Sequence, residues 1–334
     1  MVSGVFLVAL SLGASTLRAP SALSRAQAPR ARLFAVATEA VAGADVAAPP
    51  GLLARERYVA CNQFNVRPGA EAKFEARWAN RKSRLAELDG FRYFNLMRRV
   101  SLDPQTPLDA DDFGYVSLTI WETKQAFNSW RTGDAFKEAH GGTSIGAFLG
   151  AMISSLRVLK GPPRPIFFDG LLQLSAVPTS LPPTEGGWRV VQADGQNLLP
   201  AEAFIACNRF SVLPEMAAAF EQRWAARESK LDECEGFVSF SMLRRDFGAK
   251  GHGVAPPVAG EANYQSCTVW KNKACFLKWR DSQQFRAAHG DAAKPAGAAP
   301  GGDKPAGPPP PMWSAPPKPA FYEGVLVLSS TQGA

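Results

Sequence analysis

Two stretches of the chain carry the same pattern of apolar and polar positions, in the same order. Each opens with an alternating segment, 58–66 or 204–212, which predicts a strand because successive strand side chains point to opposite faces. Each continues with a longer segment, 70–88 or 215–234, whose apolar residues recur at helical spacing. The two stretches therefore begin with the same two predicted elements, a strand and a helix.

The remaining predicted elements also correspond between the two stretches. In the first they are strands at 91–100, 115–121 and 166–174, and helices at 123–130 and 134–140. In the second they are strands at 237–245, 264–270 and 321–329, and helices at 272–279 and 282–289. Thr123 suits a helix start, because its side-chain oxygen can accept from a backbone N–H of the first turn. The resulting β-α-β-β-α-β order is that of a ferredoxin-like fold.

An antiparallel sheet with helices on one face leaves its other face to be covered. Two such sheets packed face to face would cover each other, so we expect an α+β protein whose two tandem ferredoxin-like domains form an intrachain, monomeric pseudo-dimer. The expected segments are a leader (1–50), a first domain (51–174), a Pro/Gly-rich linker (175–200) and a second domain (201–330) with a disordered Pro-rich loop (291–319).

Particular residues recur at matching places in the two stretches. The recurring pairs are Cys61 and Cys207, Asn62 and Asn208, Trp121 and Trp270, Trp130 and Trp279, and His140 and His289. This repetition indicates two copies of one domain. It also selects an Asn, a Trp and a His in each copy as candidates for function.

Asn62 and Asn208 lie on a strand face that otherwise carries apolar side chains, including Phe64 and Phe210. A buried amide without a partner costs about 1–3 kcal/mol, so an Asn at this place in both copies is expected to have one. One interpretation is a structural Asn bonded to neighbouring backbone. The other is a pocket amide that donates to a ligand.

His140 and His289 each end a short predicted helix, whereas the third histidine, His252, lies in a Gly-rich loop without a counterpart. A histidine at a helix end is ordinarily a capping or surface group. Its presence in both copies, at the same spacing from Trp130 or Trp279, favours a ligand, since neutral imidazole commonly binds metal or haem iron. The two tryptophans are compatible with either a core or a site role.

Composition narrows the class of protein. The chain is 46% hydrophobic and 20% charged, as expected of a globular protein. Its net charge is +7, but no block of Lys or Arg lies outside the leader, so nucleic-acid binding is not favoured. The five cysteines lack a Cys-x-x-Cys spacing and are interpreted as buried, reduced thiols. We interpret Arg98, Arg99, Arg244 and Arg245 chiefly as solvated surface charges, with anionic ligand groups as the alternative.

The N-terminal segment has the composition of a targeting leader. Residues 5–12 form an apolar run too short to span a bilayer, and small residues follow at 13–15, as at a signal-peptidase site. The next stretch, to about residue 45, is rich in Ala, Arg, Ser and Pro, like a transit peptide. This predicts a bipartite leader and a plastid location, with secretion or an endomembrane lumen as the alternative. No other segment predicts a transmembrane helix.

The sequence Cys-Asn-x-Phe, followed in each copy by the equally spaced Trp and His, resembles the antibiotic biosynthesis monooxygenase superfamily. The resemblance is closer to its haem-degrading branch, the Isd-type haem monooxygenases, and spans roughly 57–174 and 203–330. It implies a dimeric α+β barrel of ferredoxin-like units, fused here into one chain. The implied site residues are Asn62, Trp130 and His140 in the first copy and Asn208, Trp279 and His289 in the second.

The resemblance implies haem as both substrate and cofactor, together with dioxygen and an external electron donor or reductase. The histidines would ligate the haem iron, the asparagines would hydrogen-bond the distal ligand, and the tryptophans would bend the porphyrin. Phe64 and Phe210, on the same strand face as the asparagines, are predicted to contact the cofactor. The implied reaction is oxidative cleavage of the porphyrin ring with release of iron.

Two other functions are compatible with the same residues. One is cofactor-independent oxygenation of quinols or other aromatic compounds, in which the histidines would act as acid or base. The other is a non-catalytic haem carrier or sensor. The segment after His289 shares no pattern with the one after His140. If that segment shields the haem, the first site is expected to be the better formed.

Overall fold

The computed structural model describes residues 48–108, 113–139, 157–176, 181–227, 229–249, 254, 260–283, 285–286 and 312–331. The elements of the first repeat are β1 (Arg57–Phe64), α1 (Glu71–Ala79), β2 (Phe91–Val100), β3 (Tyr115–Trp121), α2 (Lys124–Thr132), α3 (Asp134–Ala139) and β4 (Arg164–Ser175). A short hairpin follows, of β5 (Thr184–Glu185) and β6 (Trp188–Arg189). The elements of the second repeat are β7 (Ala203–Phe210), α4 (Ala217–Ala225), β8 (Phe237–Arg245), β9 (Tyr264–Trp270), α5 (Lys273–Arg280) and β10 (Lys318–Ser329).

Eight strands close into one barrel, in the order β1-β3-β2-β10-β7-β9-β8-β4. All neighbouring strands are antiparallel, and each repeat keeps its own four strands together. The expected α+β pseudo-dimer of ferredoxin-like units is confirmed. Its two sheets face each other across the barrel interior and join edge to edge at the β2–β10 and β4–β8 seams, as in the barrel that the resemblance implies. Edge pairing satisfies backbone groups that an open sheet would leave unpaired.

The barrel wall separates two kinds of core. Inward-facing side chains from both repeats, such as Val59, Leu118 and Ile205, form one apolar cluster inside the barrel. Outward-facing side chains of β1, including Tyr58 and Phe64, pack beneath the helices. The predicted division of β1 into two faces is therefore confirmed, and the face that carries Asn62 is the helix-covered one.

The first helix of each repeat is shorter than its apolar pattern predicts. The predicted helix 70–88 ends at Ala79, and only a single 3₁₀ turn, Leu85–Glu87, follows. The five residues between them, 80–84, are all polar or charged and have nothing apolar to bury. The predicted helix 215–234 likewise ends at Ala225.

None of the helices in the described parts of the chain is both long and apolar enough to span a membrane.

The segment between the repeats is packed against the first repeat. Trp188 in β6 is buried, and its Nε1 donates to the Trp78 carbonyl oxygen at 3.1 Å. Leu199 is also buried in the core of the first repeat. Most of the predicted loop 291–319 lies outside the described residues, but β10 begins within it, at Lys318.

A carboxylate with no exposed surface lies at each seam. At the first, Glu75 of α1 accepts from Tyr115 Oη at 2.7 Å, from Arg98 at 2.7 Å and from the Leu199 N–H at 2.6 Å. Arg98 also donates to Glu323 of β10 at 2.7 Å, so it joins the two repeats. The same guanidinium therefore completes a buried network and crosses the seam.

The second seam repeats this arrangement. Glu221 of α4 accepts from Tyr264 Oη at 2.7 Å, from Arg244 at 3.0 Å and from the Leu53 N–H at 2.6 Å. Arg244 also donates to Asp169 of β4 at 2.9 Å. These ion pairs are largely shielded from solvent, because their side chains are at most 17% exposed.

The four arginines interpreted from the sequence as solvated surface charges are therefore bound within the protein. Arg98 and Arg244 hold the seams, as described above. Arg245 is buried, with its guanidinium over the Phe168 ring, and Arg99 lies over the ring of Tyr322. The interpretation was wrong because each of the four also has a partner in the other repeat, at a large separation in sequence.

We expect Arg98→Met to lower the free energy of unfolding by about 3 kcal/mol, because Glu75 would stay buried without its cationic partner. Arg244→Met should have a similar effect at the second seam. Urea denaturation followed by circular dichroism measures both. Lys137→Met is the control, since its ion pair with Asp134 is exposed, and it should leave stability unchanged. Equal effects in all three variants would contradict the assigned role of the seams.

Stability should also fall at alkaline pH through the seam tyrosines. Burial, followed by the hydrogen bond to a glutamate, raises the pKa of Tyr115 and of Tyr264. The unfolded chain releases these protons from about pH 10. The stability that these tyrosines contribute is therefore fully present below that pH, and it is lost as the pH rises from there through the higher pKa of the folded state. Ultraviolet absorbance measures the ionisation of the tyrosines in the folded protein. If all of them ionised near their ordinary pKa, this expectation would be contradicted. The Tyr115→Phe/Tyr264→Phe variant should lose stability less steeply with pH.

Candidate functional site

The two candidate asparagines occupy equivalent positions in the barrel wall. Asn62 of β1 lies between Ser117 of β3 and Pro165 of β4. Asn208 of β7 lies correspondingly between Ser266 of β9 and Pro319 of β10. Both asparagines are half-buried and belong to the helix-covered face of their strand. Each is thus held by two rigid strands, with a proline on one side that donates no backbone N–H.

The amide of Asn208 is not used to hold the fold together. Its Oδ1 is buried and has no hydrogen-bond partner among the described residues. The interpretation of this residue as a structural Asn bonded to neighbouring backbone is therefore not supported. A buried acceptor without a partner is unfavourable in the free protein, and a donor brought by a ligand would remove that cost.

The helices that carry the candidate tryptophans begin in the same way. Thr123 accepts from the Ala126 N–H at 3.0 Å, as its sequence position predicts, and Asn272 accepts from the Cys275 N–H at 2.9 Å. Each residue satisfies a backbone donor that a helix start leaves unpaired. Both caps fix the first turn of the helix directly after β3 or β9, which sets where Trp130 and Trp279 project.

Trp130 and Trp279 lie in matching aromatic clusters. The Trp130 ring is 5.3 Å from Trp121 and 5.0 Å from Phe136, edge-on. In the second repeat, Trp279 is 5.2 Å from Trp270 and 4.8 Å from Phe285, again edge-on. Trp121 and Trp270 are fully buried, as predicted, whereas Trp130 and Trp279 are only half-buried. The clusters therefore hold both half-buried indoles against a rigid backing.

Phe64 and Phe210, predicted to contact a cofactor, lie within the core under the first helix of each repeat. Phe64 packs 5.2 Å from Phe74, and Phe210 packs 5.3 Å from Phe220. Both rings are buried, that of Phe210 completely. In this structure they support the strand next to the asparagines.

The predicted iron ligands, His140 and His289, lie outside the described residues. The chain leading to His140 is held by Arg81, whose Nε donates to the carbonyl oxygen of Ala139 at 2.8 Å. Among the described residues, no three His, Cys, Asp or Glu side chains converge as a metal site would require. The position of the imidazoles relative to Asn62 and Asn208 thus stays a prediction.

Arg81, which lies next to the segment that leads to His140, and its counterpart Arg227 were not singled out from the sequence. Arg81 stacks over the Trp78 ring at 4.8 Å, and Arg227 stacks over Trp224 at 4.4 Å. Burial, with a smaller effect of neighbouring Arg77, lowers the pKa of Arg81 to about 10. The signal was present in the sequence, since Phe-Glu-x-Arg-Trp-Ala-x-Arg occurs at 74–81 and again at 220–227.

The first residue of α2 and of α5 contacts the other repeat, and the two contacts differ. Asp246, which follows β8, accepts from Lys124 Nζ at 2.6 Å and from Tyr58 Oη at 3.3 Å beneath α2. In the second repeat, Lys273 donates instead to the Leu102 carbonyl oxygen at 3.1 Å. The lysine at the start of α2 thus pairs with a carboxylate of the other repeat, whereas the lysine at the start of α5 pairs with a neutral carbonyl group.

A cleft of about 400 Å³ runs along the polar side of α2. Its described lining residues are Lys124, Gln125, Asn128, Ser129 and Thr132. This is the opposite side of the helix from buried Phe127. The cleft therefore does not include the Asn62 or Trp130 side chain.

We expect Asn208→Leu to raise the free energy of unfolding by about 1 kcal/mol, because it removes an unpaired buried oxygen. Asn263→Leu is the matched control. Its amide accepts from the Val212 N–H at 2.7 Å and donates to the Val212 carbonyl at 2.8 Å. That substitution should lower the free energy of unfolding by about 1–3 kcal/mol, because it leaves both backbone groups without a hydrogen-bond partner. Thermal and urea denaturation measure both variants. A large loss in Asn208→Leu would assign that residue a structural role.

The model of the antibiotic biosynthesis monooxygenase family matches residues 57–142 and 203–291, more than half of the chain. The chain is also similar to solved structures. A candidate monooxygenase from Fusobacterium nucleatum is 11% identical, with a TM-score of 0.49 over 84% of this chain and 98% of that one. One from Lactobacillus acidophilus is 8% identical, with a TM-score of 0.47 over 84% and 98%. An anthrone oxidase-like protein is 14% identical, with a TM-score of 0.39 over 84% and 95%.

Both family matches coincide with the two repeats that build the barrel, from β1 to the end of α3 and from β7 to beyond α5. The chain therefore belongs to the antibiotic biosynthesis monooxygenase family, as a tandem member with two copies of the family domain.

Proposed function

We propose that the protein is a haem-degrading monooxygenase, which opens the porphyrin ring and releases iron. The observation that carries this proposal is the recurrence of the same Asn, Trp and His in both repeats. Their order and spacing are what resembles the haem-degrading branch. The matching strand positions of the asparagines and the matching aromatic clusters of the tryptophans support it.

The described residues fit a haem ligand in three respects. Asn208 offers a buried amide without a protein partner, and rotation of the amide presents either its oxygen or its nitrogen. Trp130 and Trp279 offer half-buried indole rings with rigid aromatic backing, suited to contact with a flat macrocycle. Arg81 offers a guanidinium beside the segment that leads to His140, where it can meet a carboxylate.

When bound, haem supplies the iron that activates dioxygen, and an external donor supplies the electrons. The asparagine amides would orient dioxygen by a hydrogen bond. The tryptophans would press on the macrocycle. The histidines are proposed to hold the iron.

A second candidate function is cofactor-independent oxygenation of a quinol or another phenolic compound. The specific observation that favours it is the buried, unpaired Oδ1 of Asn208, which a phenolic hydroxyl would satisfy as a donor. The surrounding aromatic rings suit a planar substrate equally well. In this case the histidines would act as acid or base rather than as iron ligands.

Haem titration of the purified protein, followed by ascorbate in air, tests the proposal. We expect a saturable Soret band that decays on reduction, with tetrapyrrole product and free iron. The His140→Ala/His289→Ala variant should lose the band, and the two single variants should show which repeat binds haem. His252→Ala is the matched control, because this histidine has no counterpart in the other repeat. It should behave like the unmodified protein.

The other outcomes distinguish the remaining functions. A Soret band that persists with ascorbate and with a reductase would replace the proposal with a haem carrier or sensor. Absence of any saturable band would exclude the haem function. Oxygen uptake with a quinol, reduced in Asn208→Ala, would then establish the second candidate.

A further inference from the structure

Two cysteines face each other inside the barrel. Cys207 of β7 and Cys267 of β9 are paired directly in the antiparallel register, so their side chains share one face. Their Sγ atoms are 2.8 Å apart, and both residues are buried in the interior cluster. The described structure holds them as free thiols.

The geometry of this pair is close to that of a disulfide. Directly opposed residues of an antiparallel pair have Cα atoms about 4.5–5.5 Å apart, within the range that a disulfide requires. A sulfur–sulfur bond is about 2.05 Å long, so closure needs an approach of less than about 1 Å. Such a bond can form without moving either strand to a new register.

The surroundings of the pair act on its sulfur atoms in opposite directions. Gln265 Nε2 lies 2.9 Å from Cys267 Sγ, so a hydrogen-bond donor is directed at that sulfur. Burial raises the pKa of the Cys207 thiol well above its ordinary value, whereas the guanidinium groups of Arg99 and Arg209 act in the opposite direction. The pair is therefore shielded from bulky reagents, while cations and a donor lie near its sulfur atoms.

The pair exists in only one of the two repeats. Cys61 occupies the position of Cys207 in the first repeat, but the residue opposite it is Leu118. The two halves of the barrel are thus chemically different at this point.

We propose that Cys207 and Cys267 form a redox site, which a small peroxide converts to a disulfide that staples β7 to β9. In the first step, one sulfur attacks the peroxide, the O–O bond breaks, and a sulfenic acid and one water are formed. In the second, the other thiol attacks the sulfenic sulfur and displaces a second water. The two thiols lose two electrons, and hydrogen peroxide is reduced to two molecules of water. A small dithiol reverses the change by thiol–disulfide exchange.

This site is independent of the proposed haem function. Neither sulfur lies on the helix-covered face that carries Asn62 and Asn208, because both point into the barrel. Its formation should therefore occur whether or not the protein binds haem.

The test is treatment of the full chain with hydrogen peroxide, blocking of remaining thiols in denaturant, and peptide mass spectrometry without reduction. We expect a peptide linked through Cys207 and Cys267, its loss after dithiothreitol, and a higher melting temperature of the oxidised protein. The linkage should be lost in Cys267→Val. It should persist in Cys61→Ala, the matched interior thiol, and in Cys234→Ser/Cys275→Ser.

Three results would overturn the proposal. The first is linkage of Cys267 to Cys61, the other interior thiol near it. The second is linkage of only Cys234 and Cys275. The third is oxidation of Cys207 to sulfinic or sulfonic acid, or no oxidation, without a linked peptide. The decisive measurement is the linked peptide in the chain without substitutions. It therefore does not depend on whether the Cys267→Val variant folds.

Discussion

A carboxylate that is removed completely from water is stable only where hydrogen-bond donors and positive charge replace its hydration. Glu75 and Glu221 meet this requirement in the same way, each with a tyrosine, an arginine and a backbone N–H. For Glu221, the backbone donor is Leu53, which precedes the first repeat, and Arg244 also binds Asp169 of β4. The arginines that satisfy these carboxylates also bind Glu323 and Asp169 of the opposite repeat. The same two guanidinium groups therefore serve the buried carboxylates and hold the strands together at both seams.

Closure of the barrel also brings each repeat into contact with a helix of the other. Because each sheet is joined to the other at its edges, the residues after β2 and β8 reach across to the helices of the opposite repeat. Asp246 contacts Tyr58 and Lys124 in this way, whereas Leu102 contacts Lys273 through its carbonyl oxygen. Two identical subunits related by symmetry would have to keep these contacts the same. In a fused chain they can differ, so the two copies of one site are free to acquire different properties.

Much of the fold follows from local patterns. Strands β2, β3, β8 and β9 have the bounds that their sequences predict, because alternation or a run of β-favouring residues is a local property. Helices α1 and α4 are shorter than predicted. After α1, polar residues 80–84 follow, and the next apolar residue, Leu85, reaches the core from a separate 3₁₀ turn. At the site, the face of Asn62 and Asn208 and the Thr123 cap of α2 were predicted correctly. Arg81 and Arg227 were missed, although the motif that contains them recurs in the sequence.

The sequence by itself determined that the chain holds two copies of one β-α-β-β-α-β unit, and which residues the copies share. Periodicity, capping and repetition need no knowledge of distant contacts. Only the tertiary structure decided which strands meet at the edges of the two sheets, that Arg98 and Arg244 hold those edges, and that Cys207 meets Cys267 inside the barrel. Each of these depends on strand register, or on pairing between segments more than fifty residues apart. No local pattern encodes such a pairing, because its free energy is gained only when the whole barrel closes.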